Sequence, residues 1–136
     1  MCLLAAVRPI SLPDLSGLTL LVVDDNDDAL DMLGTFLGAC GARVLQAPSA
    51  AAALDHVERQ GEIDAIVTDL SMPVADGVEL VRRLRQRHPF RAMPAIALTG
   101  FSERYMDTEG VGFDAFLRKP VDLDELCQTI RRVIGR

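Results

Sequence analysis

The chain has 136 residues and a formal net charge of −6. This length is enough for one domain with a real core and too short for two. The negative balance argues against nucleic acid as a direct partner, because phosphate contacts need clustered lysine and arginine. The three cysteines, Cys2, Cys40 and Cys127, fit neither a disulfide framework nor a zinc pattern, which favours a reducing cytoplasmic compartment. The apolar opening of the chain is too short for a signal core or a span, so we expect no membrane contact.

Linker composition marks the start of the chain. Residues 8–17 contain two prolines, two serines and a glycine, so we assign residues 1–17 to a leader or linker and residues 18–136 to one folded domain. Strands and helices alternate after it. The predicted strands are 19–23, 43–47, 64–68, 95–98 and 114–117. The predicted helices are 27–40, 50–60, one that is capped by Asp76 and reaches Arg87, a short one at 102–108, and a last one that begins at Asp122 or Asp124.

Strands that alternate with helices predict an α/β fold, a doubly wound parallel sheet with right-handed crossovers. Such sheets bind ligands at the carboxyl ends of their strands, where the strand order reverses. In the order 2-1-3-4-5 this point lies between the first and third strands. The first strand runs into Asp24 and Asp25, and the third leads to Asp69. The topology therefore predicts that three carboxylates converge.

The pair Asp24 and Asp25 predicts a cation site. Two carboxylates a few ångströms apart repel each other, and a divalent cation relieves that repulsion. Their hard oxygen atoms suit magnesium. Asp69 could be a further metal ligand, a nucleophile toward phosphorus, or simply the cap of the next helix.

The fourth and fifth strands also lead to residues that suit phosphate chemistry. The Thr99 hydroxyl could donate to a phosphoryl oxygen, and Lys119 could reach a phosphate as a point charge. The Lys119–Pro120 bond is a candidate cis peptide. Elsewhere we expect surface roles for His56 and His88. We expect a solvated helix face, or a surface for an acidic partner, from the arginines Arg82, Arg83, Arg85 and Arg87.

Together these motifs resemble the response-regulator receiver domain of bacterial two-component signalling. The chain is similar to the chemotaxis regulator and to the receiver domains of hybrid sensor kinases. The resemblance covers residues 18–135 and implies a flavodoxin-like three-layer sandwich with five parallel strands in the order 2-1-3-4-5. The motifs that carry it are VVDDN at 22–26, DLSMPVADG at 69–77, TG at 99–100 and RKP at 118–120.

The resemblance implies a phosphorelay reaction. Asp69 would take a phosphoryl group from a phosphohistidine on a sensor histidine kinase or a histidine phosphotransfer protein. Mg²⁺ would be held directly by Asp25, Asp69 and the backbone carbonyl of Ser71, while Asp24 would act through water. The domain would then be a self-catalysed phosphoacceptor and not an enzyme in the usual sense.

The resemblance also implies a conformational switch. Thr99 and Lys119 would bind the phosphoryl oxygens, and Thr99 and Phe116 would change position on phosphorylation. One departure concerns the stretch from Thr99 to Lys119, which is short for the family. Residues 109–112 are also poor helix material, so we expect a monomer or a weak dimer.

Other interpretations stay open or fail on particular residues. An aspartate-nucleophile phosphatase of the haloacid-dehalogenase type needs a second aspartate where Ser71 stands. A degenerate receiver that only binds proteins is a further alternative, against which the complete set of site residues argues. A nucleotide site lacks its glycine-rich loop, and the acidic turn after the first strand would repel flavin mononucleotide. The chain could be a free-standing regulator or one piece of a hybrid kinase.

Overall fold

A five-stranded parallel sheet forms the centre of the protein. The computed structural model describes residues 12–60, 62–70, 77–87, 90–100 and 111–135. The strand order is β2-β1-β3-β4-β5, as the sequence predicts, and every neighbouring pair is parallel. The strands are β1 (Thr19–Val23), β2 (Arg43–Ala47), β3 (Ala65–Asp69), β4 (Ala95–Thr99) and β5 (Ala115–Arg118).

Four α-helices and one short 3₁₀ helix are present in the described residues. They are α1 (Asp27–Ala39), α2 (Ala50–Gln60), α3 (Gly77–Arg85), the 3₁₀ helix Phe90–Ala92, and α4 (Leu123–Ile134). The predicted helix at 102–108, the expected cap Asp76 and His88 lie outside the described residues. None of the described helices combines the length and the hydropathy that crossing a bilayer requires.

The helix ends follow their capping residues. Asn26 caps α1 by accepting a hydrogen bond from the Ala29 amide at 2.9 Å, and Ser49 accepts from the Ala52 amide at 3.1 Å. Asp122 caps α4, which decides between the two predicted starts of that helix. Gly41 follows α1 with φ +100°, a backbone conformation that glycine adopts without a steric penalty.

Apolar side chains cover both faces of the sheet. On one face α1 and α4 pack over alternate strand residues, among them Leu20, Val22 and Leu98. On the other face α2 and α3 pack over the intervening residues, such as Leu21 and Ile66. Strands buried on both sides explain the nearly continuous apolar runs in the sequence. Charged residues can therefore reach solvent only at the ends of the strands.

Two aspartates lie directly before strands at the amino edge of the sheet. Asp64 accepts a hydrogen bond from the Thr19 amide at 2.7 Å, and Asp114 accepts one from the Ala95 amide at 2.8 Å. Each aspartate lies just before a strand and bonds the first residue of the neighbouring one. The strands β3 and β5 thus begin one residue later than predicted, after these aspartates, and each also extends one residue further at its end.

The segment before β1 packs against the domain. Leu15 lies within the predicted leader, but its side chain is buried in the α1–α4 layer. Its amide donates to the Cys40 carbonyl at 2.8 Å. The division at residue 18 stays a proposal, and ordered packing begins at least three residues before it.

Candidate functional site

The carboxyl edge of the sheet brings together the residues that follow β1, β3, β4 and β5. Val23 pairs with Thr68, and Asp69 pairs with Leu98, so the ends of the three central strands are level. Thr99 in turn pairs with Arg118 of β5. Residues directly after these positions share one edge because the strands are parallel and in register.

Three carboxylates meet at this edge. One oxygen atom from each of Asp24, Asp25 and Asp69 lies within 4.8 Å of the others. Asp24 and Asp69 are buried, with 1% and 4% of their surface exposed, whereas Asp25 is exposed. The cluster therefore has a closed side and an open side, and Asp25 lies on the open one.

In the described part of the chain, Lys119 is the cation that pairs with this cluster. Its Nζ lies 3.2 Å from Asp69 Oδ2 and 3.4 Å from Asp24 Oδ2. Burial lowers the pKa of the Lys119 ammonium, but Asp69 and Asp24 together raise it more, so the pKa lies above its usual value. Lys119 is also the only lysine among the 14 basic residues, the others being arginines. Lysine supplies a compact charge on a flexible stem, which suits a group that changes partners.

The charge balance of the cluster fits a divalent cation. Among the residues that the structure describes, three carboxylates face one ammonium group, which leaves a formal excess of two negative charges. The donor atoms are carboxylate oxygens, the ligands that Mg²⁺ prefers. Asp24 already has two partners, because its other oxygen accepts the Asn26 amide at 2.9 Å. Asp25, exposed on the open side of the cluster, is thus the carboxylate that an ion from solvent can reach directly.

Thr99 and Phe116 lie on neighbouring strands and on the same face of the sheet. Ala97 pairs with Phe116, and Thr99 lies two residues after Ala97 in β4, so its side chain is on the same face of the sheet. Thr99 is fully buried, whereas Phe116 is 38% exposed. The Phe116 ring contacts that of Phe113, with centroids 5.5 Å apart and planes inclined by 47°. The aromatic side chain therefore borders both the protein surface and the strand that carries Thr99.

A backbone hydrogen bond joins the ends of β4 and β5. The Lys119 amide donates to the Thr99 carbonyl at 2.7 Å. The Lys119–Pro120 peptide bond is cis, as the sequence suggested. Ser71, the remaining predicted site residue, lies outside the described residues.

The sequence interpretation missed three residues around the site. Asn26 caps α1 and holds Asp24, and its position after an acidic pair was a visible capping signal. Thr68 is a fully buried hydroxyl beside Asp69, and it was the one polar residue before the aspartate in an apolar strand. Phe113 had no such signal, because its contact with Phe116 depends on the turn between them.

The arrangement can present an oxygen nucleophile to an electrophile. Asp69 is a buried carboxylate with a cation on one side and two further carboxylates near it. A group with negatively charged oxygens could be neutralised there by Lys119 and by an ion. These are the requirements of phosphoryl transfer, which depends mainly on positioning and charge.

Comparison with known proteins identifies the family. A family model described as "Response regulator receiver domain" matches residues 20–131. A Leptolyngbya boryana protein described as "Uncharacterized 14.6 kDa protein in sodA1 3'region" is 39% identical, and the match covers 87% of this chain and 91% of that protein. Sensor kinase CckA of Brucella abortus is 34% identical over 90% of this chain, but the match spans only 13% of the kinase.

Solved structures agree with this result. The chemotaxis protein CheY4 of Vibrio cholerae is 27% identical and has a TM-score of 0.79, and the match covers 85% of this chain and 98% of that one. The observed strand order and the cluster of three aspartates agree with what the sequence motifs imply. This chain belongs to the response regulator receiver domain family.

Proposed function

We propose that this chain is a phosphoacceptor in a two-component phosphorelay and that Asp69 takes the phosphoryl group. Receiver domains interact with histidine kinases, and the donor here would be a phosphohistidine on a sensor kinase or a histidine phosphotransfer protein. The observation that carries the proposal is the position of Asp69. Its Oδ2 lies 3.2 Å from Lys119 Nζ, and one of its carboxylate oxygens lies within 4.8 Å of an oxygen of Asp24 and of Asp25. We expect the reaction to take place in the cytoplasm.

The transfer step follows from the chemistry of the two groups. An Asp69 carboxylate oxygen attacks the phosphorus of the phosphohistidine and forms a P–O bond. The P–N bond breaks, its electron pair returns to the imidazole nitrogen, and that nitrogen takes up a proton from solvent. Asp69 thereby becomes an acyl phosphate, which carries roughly −1.5 to −2 charges near neutral pH.

The residues around Asp69 would receive the charge. Lys119 exchanges its contact with the Asp69 carboxylate for contacts with the new phosphoryl oxygens. The Thr99 hydroxyl donates a hydrogen bond to one of these oxygens. The carboxylate set fits Mg²⁺, which when bound would neutralise negative charge beside the transferred group. Asp25, Asp69 and the Ser71 carbonyl would hold it, with Asp24 acting through water.

The switch would connect this site to the surface. When Thr99 moves toward the phosphoryl group, space opens on its face of the sheet, and Phe116 is the bulky neighbour able to enter it. The arrangements of Thr99 and Phe116 before and after this movement are two states of the same fold, and phosphorylation changes their populations. The exposed side of Phe116 would then be read by a partner.

The direct test is phosphorylation by acetyl phosphate with magnesium. Asp69→Asn should abolish the mass increase in intact-protein mass spectrometry, because the amide is not a nucleophile for this reaction. Asp31→Asn, which changes an exposed acid on α1, is the matched control and should label like the wild type. Undiminished labelling of the Asp69 variant would contradict the proposal. A wild type that takes no phosphoryl group would favour the alternative of a receiver that only binds proteins.

A further inference from the structure

A buried hydroxyl lies next to the proposed phosphoacceptor. Thr68 precedes Asp69 in β3 and is fully buried. Its Oγ1 donates a hydrogen bond to the Asp69 backbone carbonyl at 3.0 Å. The bond therefore acts on the peptide group that follows the Asp69 side chain.

The start of α3 closes over the same carbonyl. The Gly77 amide donates to the Leu70 carbonyl at 3.0 Å. A side chain at Gly77 would overlap the Asp69 carbonyl oxygen, and its Cβ would lie 2.9 Å from Thr68 Oγ1. Thr68 and the backbone of Gly77 thus enclose the Asp69 carbonyl from two directions.

The side chains of Thr68 and Asp69 lie on opposite faces of the sheet, and Thr68 pairs with Ala97 on the face that also carries Thr99. Side chains alternate along a strand, and Ile66, two residues earlier, packs in the layer of α2 and α3. Asp69 instead alternates with Val67, which packs in the layer of α1 and α4. The contact that joins the Thr68 hydroxyl to Asp69 is therefore made at the Asp69 backbone carbonyl.

We infer that Thr68 is a positioning residue for phosphoryl transfer, an inference that rests on the proposed role of Asp69. Its hydroxyl fixes the Asp69 peptide group and so fixes the direction in which the carboxylate points. In-line attack depends on this direction, because a displacement of about 1 Å can cost on the order of 100-fold in rate. The hydroxyl is required, whereas the shape of the threonine side chain alone is not sufficient.

Thr68→Val tests the hydroxyl at nearly constant shape, and Thr68→Ser restores it. We expect the initial rate of phosphorylation by acetyl phosphate to fall roughly tenfold in the valine variant, given the sensitivity of transfer to geometry. The serine variant should stay within about twofold of the wild type, since it keeps the donor. Calorimetric titration with magnesium alone should show weaker binding to the valine variant and near-normal binding to the serine variant.

Thr129→Val is the matched control. Thr129 is also buried, but it lies on α4 and not on a strand that leads to the carboxylates. Its valine variant should change the unfolding temperature without changing the phosphorylation rate or magnesium affinity. If Thr68→Val does not fold, Thr68→Ala provides a second removal of the hydroxyl, with the same expected losses.

Three outcomes separate the possible failures. Wild-type rates and magnesium affinity in a folded Thr68→Val or Thr68→Ala protein would overturn the inference. Equal losses in the serine and valine variants would also overturn it, because the hydroxyl would then not be the cause. A wild type that is not phosphorylated, or an Asp69→Asn protein that is labelled normally, would contradict the proposed function itself, and the magnesium titration would still decide whether Thr68 positions the carboxylate.

Discussion

Asp24 and Asp25 are neighbours in the chain, but their surroundings differ. Asp24 is buried and holds both Lys119 and the Asn26 amide, whereas Asp25 is exposed at the open side of the cluster. An ion that approaches from solvent meets Asp25 first. The structure thus gives the two acids different partners, although the sequence presents them as a pair.

We expect Asp25→Ala to weaken magnesium binding more than Asp24→Ala. A direct carboxylate ligand is lost in the first variant, and in the second we expect loss of a ligand that acts through water. We expect magnesium affinity to fall on the order of tenfold in Asp25→Ala, which corresponds to about 1.4 kcal/mol, and about a few-fold in Asp24→Ala. Isothermal titration calorimetry measures both. Wild-type affinity in both variants would contradict the site, whereas a reversed order would contradict only the ranking.

Cys127 should make the stability depend on alkaline pH. Burial raises the pKa of its thiol from 9.0 to about 12, with Cys40 and Asp124 adding to the shift. In the unfolded chain the thiol ionises near 9.0, but in the folded protein it stays protonated up to about 12. Its contribution to the free energy of unfolding is therefore complete below pH 9.0 and is lost as the pH rises through this window.

Urea denaturation followed by circular dichroism measures this dependence. The free energy of unfolding of the wild type should fall between pH 9.0 and about 12. Cys127→Ala should be less stable below pH 9.0 but should show a shallower decrease above it, because the titrating group is absent. Parallel decreases in the two proteins would show that another group is responsible.

At the scale of elements, Arg85 links three segments at the amino edge of the sheet. It lies at the end of α3 and donates to the carbonyls of Phe90 at 3.2 Å, Met93 at 2.6 Å and Gly112 at 2.7 Å. Its pKa is lowered by burial, an effect that nearby Asp114 partly opposes. Arg85 therefore departs from the solvated helix face that the sequence indicated.

Replacing Arg85 by methionine should destabilise the protein by about 2–4 kcal/mol, because three carbonyls would lose a charged donor, two of them in partly buried hydrogen bonds. Arg83→Met is the matched control on the same helix. Arg83 is exposed and pairs with Glu79 at 3.3 Å, so its loss should cost less than about 1 kcal/mol. Chemical denaturation compares the two variants. Equal losses would mean that the three carbonyl contacts contribute little.

The elements that could be predicted are those decided by local pattern. Apolar runs and helical spacing located every described strand and α-helix, and strand-end residues located the carboxylates and Lys119. The remaining errors come from contacts between distant segments. Asp64 reads as the start of a strand, but its side chain bonds the amide of Thr19, 45 residues away. Arg85 likewise has the sequence pattern of a surface residue, because the three carbonyls that it bonds come together only in the folded chain.

For the whole molecule, we expect a monomer in solution even when beryllofluoride, a phosphoryl mimic, is bound. Gly112 has φ +95°, and Gly110 precedes it in a stretch of low helix propensity, where each glycine costs roughly 1 kcal/mol relative to alanine. A dimer face that needs a helix through this stretch would have to form it against this low propensity. Sedimentation velocity at micromolar concentration is the measurement. A tight dimer that depends on beryllofluoride would contradict this expectation.

The isolation of Lys119 has a practical consequence. Because it is the only lysine, the chain has a single side-chain amine, and that amine lies between Asp24 and Asp69. Reductive methylation with ¹³C-labelled formaldehyde would introduce one side-chain NMR signal, besides that of the chain's terminal amine. This signal would report on the carboxylate cluster directly, without assignment of the rest of the spectrum. A feature that arises from the arginine-rich composition of the chain thus places a spectroscopic probe at its proposed reaction centre.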